Sequence, residues 1–141
     1  MQRLIYIITV PFLLLISWMP FWLLYAFSNI LYYLLYHLAG YRKKVVRKNI
    51  KLSGIAKTNK EALAIEQKFY RYLCDLFLEI IKSMGMSKDE MIKRFHVKNI
   101  EVLTQFESQN RSVFLMCGHY ASWEWMMSLG YHMKHKGYGI Y

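Results

Sequence analysis

The sequence has no acidic residue before Glu61. Between Met1 and Lys60 it carries nine Lys and Arg, whereas the remainder balances ten bases against nine acids. The formal net charge of +10 therefore belongs almost wholly to the first part of the chain. From Leu4 to Tyr41 there is no charged residue of either sign. Proline occurs only at Pro11 and Pro20, and cysteine only at Cys74 and Cys117. Two distant cysteines exclude a disulfide framework and any zinc-ligand spacing, and predict reduced thiols. No internal repeat or low-complexity tract is present, and 141 residues make one ordinary domain at most.

What fills the uncharged run is apolar. It is longer than the roughly 20 residues of one spanning helix and slightly short of two. Pro20 lacks a backbone donor and biases Met19 away from helix, so a break is expected near Ser17–Pro20. The reading is two apolar helices, roughly 3–17 and 20–39, with residues 1–40 forming a membrane anchor, either a helical hairpin or a tilted transmembrane segment. Trp18 and Trp22 flank the break as interfacial anchors. A cleaved signal peptide would have an apolar core of only about 7–15 residues followed by a small-residue cleavage site. The basic block Tyr41–Asn49 comes next, and Lys/Arg beside an apolar segment marks the cytoplasmic side. It also suits attraction to anionic lipid. A nucleic-acid partner is set aside because the basic block adjoins so apolar a segment.

Residues 41–96 read as a basic and amphipathic helical region. Thr58-Asn59-Lys60-Glu61 and Ser87-Lys88-Asp89-Glu90 both have the form of a capping box. Phe69, Leu73, Leu76, Phe77, Ile80, Ile81 and Met84 recur at helical spacing and predict a core face, or part of an acyl-chain groove. Gly85 suits a C-terminal cap. Residues 97–141 read as the start of an α/β domain. Ser112–Cys117 is a short apolar run typical of a buried strand. Ser122 can cap a helix from Trp123 to Leu129 that ends at Gly130, and a second strand is expected to begin at Tyr138–Tyr141.

The chemistry-bearing residues stand at that expected strand-to-helix junction, in Gly118-His119-Tyr120-Ala121-Ser122-Trp123-Glu124-Trp125. Open α/β sheets place ligands outside the carboxyl ends of their strands. A glutamate in a helix's first turn is favoured in its ionised form by the helix dipole. Such a carboxylate can orient an imidazole and stabilise its protonated form. The imidazole can then act as general base toward a hydroxyl. Spacing alone makes this a weak signal, and a lone strand-end histidine is commonly structural. Cys117 and His119, two apart on a strand, also admit a thiol–imidazole pair, against the plainer reading of Cys117 as a small buried hydrophobe. His132 and His135, with His119 and Glu124, match no metal motif and read as surface histidines.

The run Cys117–Glu124 resembles the signature of the bacterial lipid A late acyltransferases, the lauroyl- and myristoyl-type members of the His-x4-Asp/Glu acyltransferases. The apolar N-terminus, the basic block and the Phe- and Leu-rich helix match in the same order. Ser122 stands where that family often has Asn. The resemblance implies a glycerolipid-acyltransferase-like α/β fold, of which this chain corresponds to about the first half. It implies His119 as general base and Glu124 as its partner. It also implies transfer of a fatty acyl chain, without a covalent acyl-enzyme, from a thioester on acyl carrier protein to a hydroxyl of a lipid A precursor. Neither cofactor nor metal is expected, and the setting implied is the bacterial inner membrane with the catalytic part facing the cytoplasm. A phospholipid or amino-acid lipid acceptor remains the alternative, as does a non-enzymatic membrane-anchored interaction protein.

Overall fold

The computed structural model describes residues 2–138, and within them every regular element is a helix. Helix α1 spans Gln2–Trp18 and α2 spans Phe21–Tyr33, the latter running on into a π-helical segment, Leu34–Ala39. Helices α3 (Lys43–Ser53), α4 (Asn59–Ser83), α5 (Lys88–Arg94) and α6 (Ile100–Ser108) follow. After a long irregular segment comes a 3₁₀ helix, Trp123–Tyr131.

The helix break falls where Pro20 demands it. Pro20 is extended, at φ −63° and ψ 150°, and its carbonyl accepts the first N–H groups of α2, from Leu23 and Leu24, at 3.0 Å each. Gly40 ends the π-helical segment and Gly54 ends α3, each in the left-handed conformation that glycine adopts without steric cost. Both expected N-caps form, although neither box closes: Glu61 Oε2 accepts from the Lys57 N–H and Glu90 Oε1 from Arg94 rather than from the capping residue's N–H. Thr58 accepts from the Glu61 N–H, and Ser87 from the Glu90 N–H, at 3.2 Å in each case.

Helix α4 is the spine, and α1, α2 and α3 all pack against it. The central cluster joins Ile16 of α1, Leu24 of α2 and Leu78 of α4, with Phe21, Phe27 and Ile81 around it. Burying side chains of this kind contributes about 1.5–3 kcal/mol each. The buried seam of α4 is Glu66, Tyr70, Cys74, Leu78 and Lys82, one residue per turn. It is offset from the apolar face expected from sequence: Phe69, Phe77 and Met84 are exposed.

Two polar members explain the offset. Glu66 receives Arg47 of α3 through two hydrogen bonds, of 2.7 and 3.1 Å. The Lys82 ammonium donates to the carbonyls of Ser17 and Met19 at 2.7 and 2.8 Å, and so caps the open end of α1. Burial lowers the Lys82 pKa. Gly85 lies against the same end. It is not a left-handed cap. A Cβ there would stand 2.5 Å from the Ser17 hydroxyl oxygen, so its smallness lets α4 approach α1.

The expected α/β fold is not what forms. Among the described residues there is no strand, and Ser112–Cys117 is irregular and exposed, with Phe114 at 76% and Met116 at 85%. A strand exists only through a ladder with a second one, and no described segment supplies it. The region around Val97 is a loop leading into α6, and the second strand expected over Tyr138–Tyr141 lies, beyond Tyr138, outside the described residues.

The expected transmembrane anchor is corrected as well. No helix among the described residues is long and apolar enough to cross a membrane. The break at Met19–Pro20 limits α1 to 17 residues. At 1.5 Å per residue that is about 26 Å, less than a hydrocarbon core of about 30 Å. What α1 and α2 do present is an outward apolar face, including Ile5, Ile8, Phe12, Trp18 and Trp22.

Candidate active site

The motif begins in the irregular segment after α6, which holds Gly118 to Ser122, and runs into the 3₁₀ helix, which carries Trp123 and Glu124. The Tyr120 N–H donates to the Gly118 carbonyl at 2.9 Å, closing a three-residue turn with His119 at its apex. His119 is exposed. Its ring meets Trp123 edge to face, with centroids 4.3 Å apart, a favourable aromatic geometry. Two residues on, Ala121 holds φ +53°. A left-handed alanine costs roughly 1–2 kcal/mol, and such strain persists only where the surroundings enforce it.

Ser122 precedes the 3₁₀ helix without capping it. Its hydroxyl instead donates to Glu79 Oε2 of α4 at 2.7 Å. Glu79 Oε1 accepts from the Tyr25 hydroxyl of α2 at 2.8 Å. The backbone carbonyl of Glu79 accepts from the Trp125 indole at 3.4 Å. Burial and the Glu79 carboxylate together push the Tyr25 hydroxyl up to about 12. Neither Tyr25 nor Glu79 carries a motif signal, and the sequence reading missed both.

Glu124 lies in the first turn of the 3₁₀ helix, half-buried. Its Oε2 is buried and has no hydrogen-bond partner among the described residues, and the same is true of Ser128 Oγ and His132 Nε2. The structure brings His119 and Glu124 into one short segment but forms no hydrogen bond between them; His119 rests on Trp123 instead. A buried carboxylate oxygen without a donor is costly, and that makes it a ready acceptor for an imidazole N–H. Catalytic hydrogen bonds are often unformed until substrate binds.

Beside this segment a half-open, mainly apolar groove of about 400 Å³ is lined by Phe95, Val97, Leu103, Leu115, Met126 and Leu129, with His96, Lys98 and Asn99 at the same wall. Two of its walls come from the motif region itself: Leu115 upstream of His119, and Met126 with Leu129 from the helix that carries Glu124.

The other candidates fare differently. Cys117 is exposed rather than buried, and its thiol is free. His132 is half-buried rather than on the surface, and the His135 ring lies 3.8 Å from Glu107 Oε1. No group of three or more His, Cys, Asp or Glu among the described residues is placed to hold a metal ion.

No curated protein and no solved structure matches this chain. The family model described as "Bacterial lipid A biosynthesis acyltransferase" matches residues 1–141. With its whole length covered by that model, the chain belongs to the bacterial lipid A biosynthesis acyltransferases.

Proposed function

We propose that this acyltransferase moves a fatty acyl chain from a thioester, carried by acyl carrier protein, to a hydroxyl of a lipid A precursor, with His119 as general base and Glu124 as its partner. The observation that carries the residue assignment is the buried, unpartnered Glu124 oxygen in the same short segment as the exposed His119. For the two to pair, the imidazole swings off Trp123 and donates one N–H to Glu124 Oε2. The other ring nitrogen then accepts the proton of the acceptor hydroxyl as that oxygen attacks the thioester carbonyl. A C–O bond forms, the tetrahedral intermediate collapses and the C–S bond breaks. The imidazolium returns its proton to the departing thiolate. Ionised Glu124 stabilises the imidazolium between those steps.

The mainly apolar groove beside the motif suits the fatty chain. The exposed apolar residues of α1 and α2 are followed in the chain by the exposed bases Arg42, Lys44, Lys48 and Lys51. That combination suits association with an anionic membrane surface and supports a reaction at the bacterial inner membrane, on its cytoplasmic side.

The test is transfer from a labelled acyl thioester of acyl carrier protein to three samples: a lipid A precursor, a phospholipid, and no acceptor. Label is expected in the lipid A precursor, and strongly reduced with Glu124→Gln, because a neutral amide cannot stabilise imidazolium. Label in the phospholipid alone would replace the acceptor. Label in neither would remove the activity. Cys117→Ala is expected to keep most turnover; a collapse there with His119→Ala still active would move the chemistry to the thiol.

A further inference from the structure

Between Ser112 and Tyr131 the chain has no strand ladder or long helix to hold it in place, yet it carries the motif. Among the described residues, the hydrogen bonds that tie this stretch to the rest of the molecule end on one residue, Glu79. Three of its oxygen atoms are engaged. Oε2 takes the hydroxyl of Ser122, which lies between His119 and Glu124 in the sequence. The backbone carbonyl takes the indole of Trp125, the residue after Glu124. Oε1 takes Tyr25 of α2, which fixes the carboxylate from its far side. Glu79 itself stands near the end of α4, the most heavily packed helix, one residue after the buried Leu78.

We infer that Glu79 is a positioning residue for the acyl-transfer site: its carboxylate clamps the His119–Glu124 segment to the α2–α4 pair through Ser122, alongside the Trp125 bond that its backbone carbonyl accepts. The inference rests on the His119–Glu124 reading above. Glu79 does not touch the reacting atoms, and it acts through the residues it holds. An ionised carboxylate accepts from both hydroxyls at once, and hydrogen bonds to a charged group are the stronger kind. The clamp also supplies the constraint that the left-handed Ala121 requires. Losing about one ångström of placement at a site is enough to reduce turnover substantially.

The clamp predicts a specific pattern in the full chain. Glu79→Ala should lower kcat by about tenfold or more with KM changed less than about twofold, since placement of the base is lost rather than substrate contact. Glu79→Gln should restore much of that rate, because a glutamine amide still bridges two hydroxyls. Ser122→Ala should lower kcat in the same direction. The double variant Glu79→Ala/Ser122→Ala should be no slower than Glu79→Ala alone, because both remove the same tie.

Amide hydrogen exchange supplies the readout independent of activity. Residues 117–125 should exchange faster in Glu79→Ala, while α1 and α3 keep their protection. His119→Ala belongs in the same series. If His119→Ala is inactive but Glu79→Ala matches the parent rate per folded molecule, the clamp is wrong and the catalytic reading stands. If His119→Ala is fully active, the catalytic reading fails, and the exchange data alone decide whether Glu79 holds the loop. Unchanged exchange over 117–125, or additive losses in the double variant, would overturn the inference.

Discussion

Ala121 shows how a single backbone angle bears on the site. At φ +53° it pays a steric cost that glycine would not. Ala121→Gly should therefore raise stability by about 0.5–1 kcal/mol, after the greater chain entropy of glycine is subtracted; thermal unfolding measures it, and a fall in Tm would contradict the strain. Gly85 is the opposite case. A methyl group there meets the buried Ser17, whose hydroxyl is already committed to the Leu14 carbonyl at 2.8 Å. Gly85→Ala should destabilise by about 1–3 kcal/mol, whereas Gly130→Ala, with nothing within 4 Å, should not. At this scale the sequence told residue types better than roles. Gly85 and Ser122 both read as helix caps, because cap propensity is a local property. Their actual partners, Ser17 and Glu79, are remote in the chain, and no local pattern encodes such contacts.

The elements were more legible where one segment decides its own fate. Pro20 broke the apolar run, and Thr58 and Ser87 opened α4 and α5, as their side chains dictate. The face that α4 buries was not legible, because its seam begins at Glu66 and ends at Lys82. A periodicity count of apolar residues discards both, although each is buried to serve another helix. Arg47 holds the Glu66 carboxyl below the usual carboxylate range. A depressed folded-state value stabilises above the unfolded value of about 4.3 and is lost as pH falls through the folded one. Stability should thus drop on acidification below about pH 4.3, and Glu66→Gln should remove that part of the slope. Urea unfolding at pH 7 and at successively lower pH checks this; an identical slope in the variant would contradict the α3–α4 clamp. Lys82→Met should loosen α1 from α4 by leaving the Ser17 and Met19 carbonyls without their donor, at a cost of about 1–3 kcal/mol, seen as faster hydrogen exchange in α1 relative to α3.

For the molecule as a whole, the family was legible and the architecture was not. His119, Trp123 and Glu124 stand at fixed short spacing, and a motif of that kind survives in the sequence whatever surrounds it. Whether Ser112–Cys117 becomes a strand depends on a second segment to pair with, and its own composition states only that it is short and apolar. The outward apolar face of α1 and α2 leads to a further expectation: the protein should float with vesicles containing anionic lipid, and much less with neutral vesicles at raised salt, because the bases of α3 are screened there. Equal flotation with both would remove the basic helix from the account. The central claim is that His119 is the base of an acyl transfer, and the most direct measurement is the turnover of purified His119→Ala with a thioester of acyl carrier protein and a lipid A precursor. The account predicts a loss of about 10²–10⁴-fold with an unchanged circular dichroism spectrum. Turnover equal to that of the unsubstituted protein would contradict it.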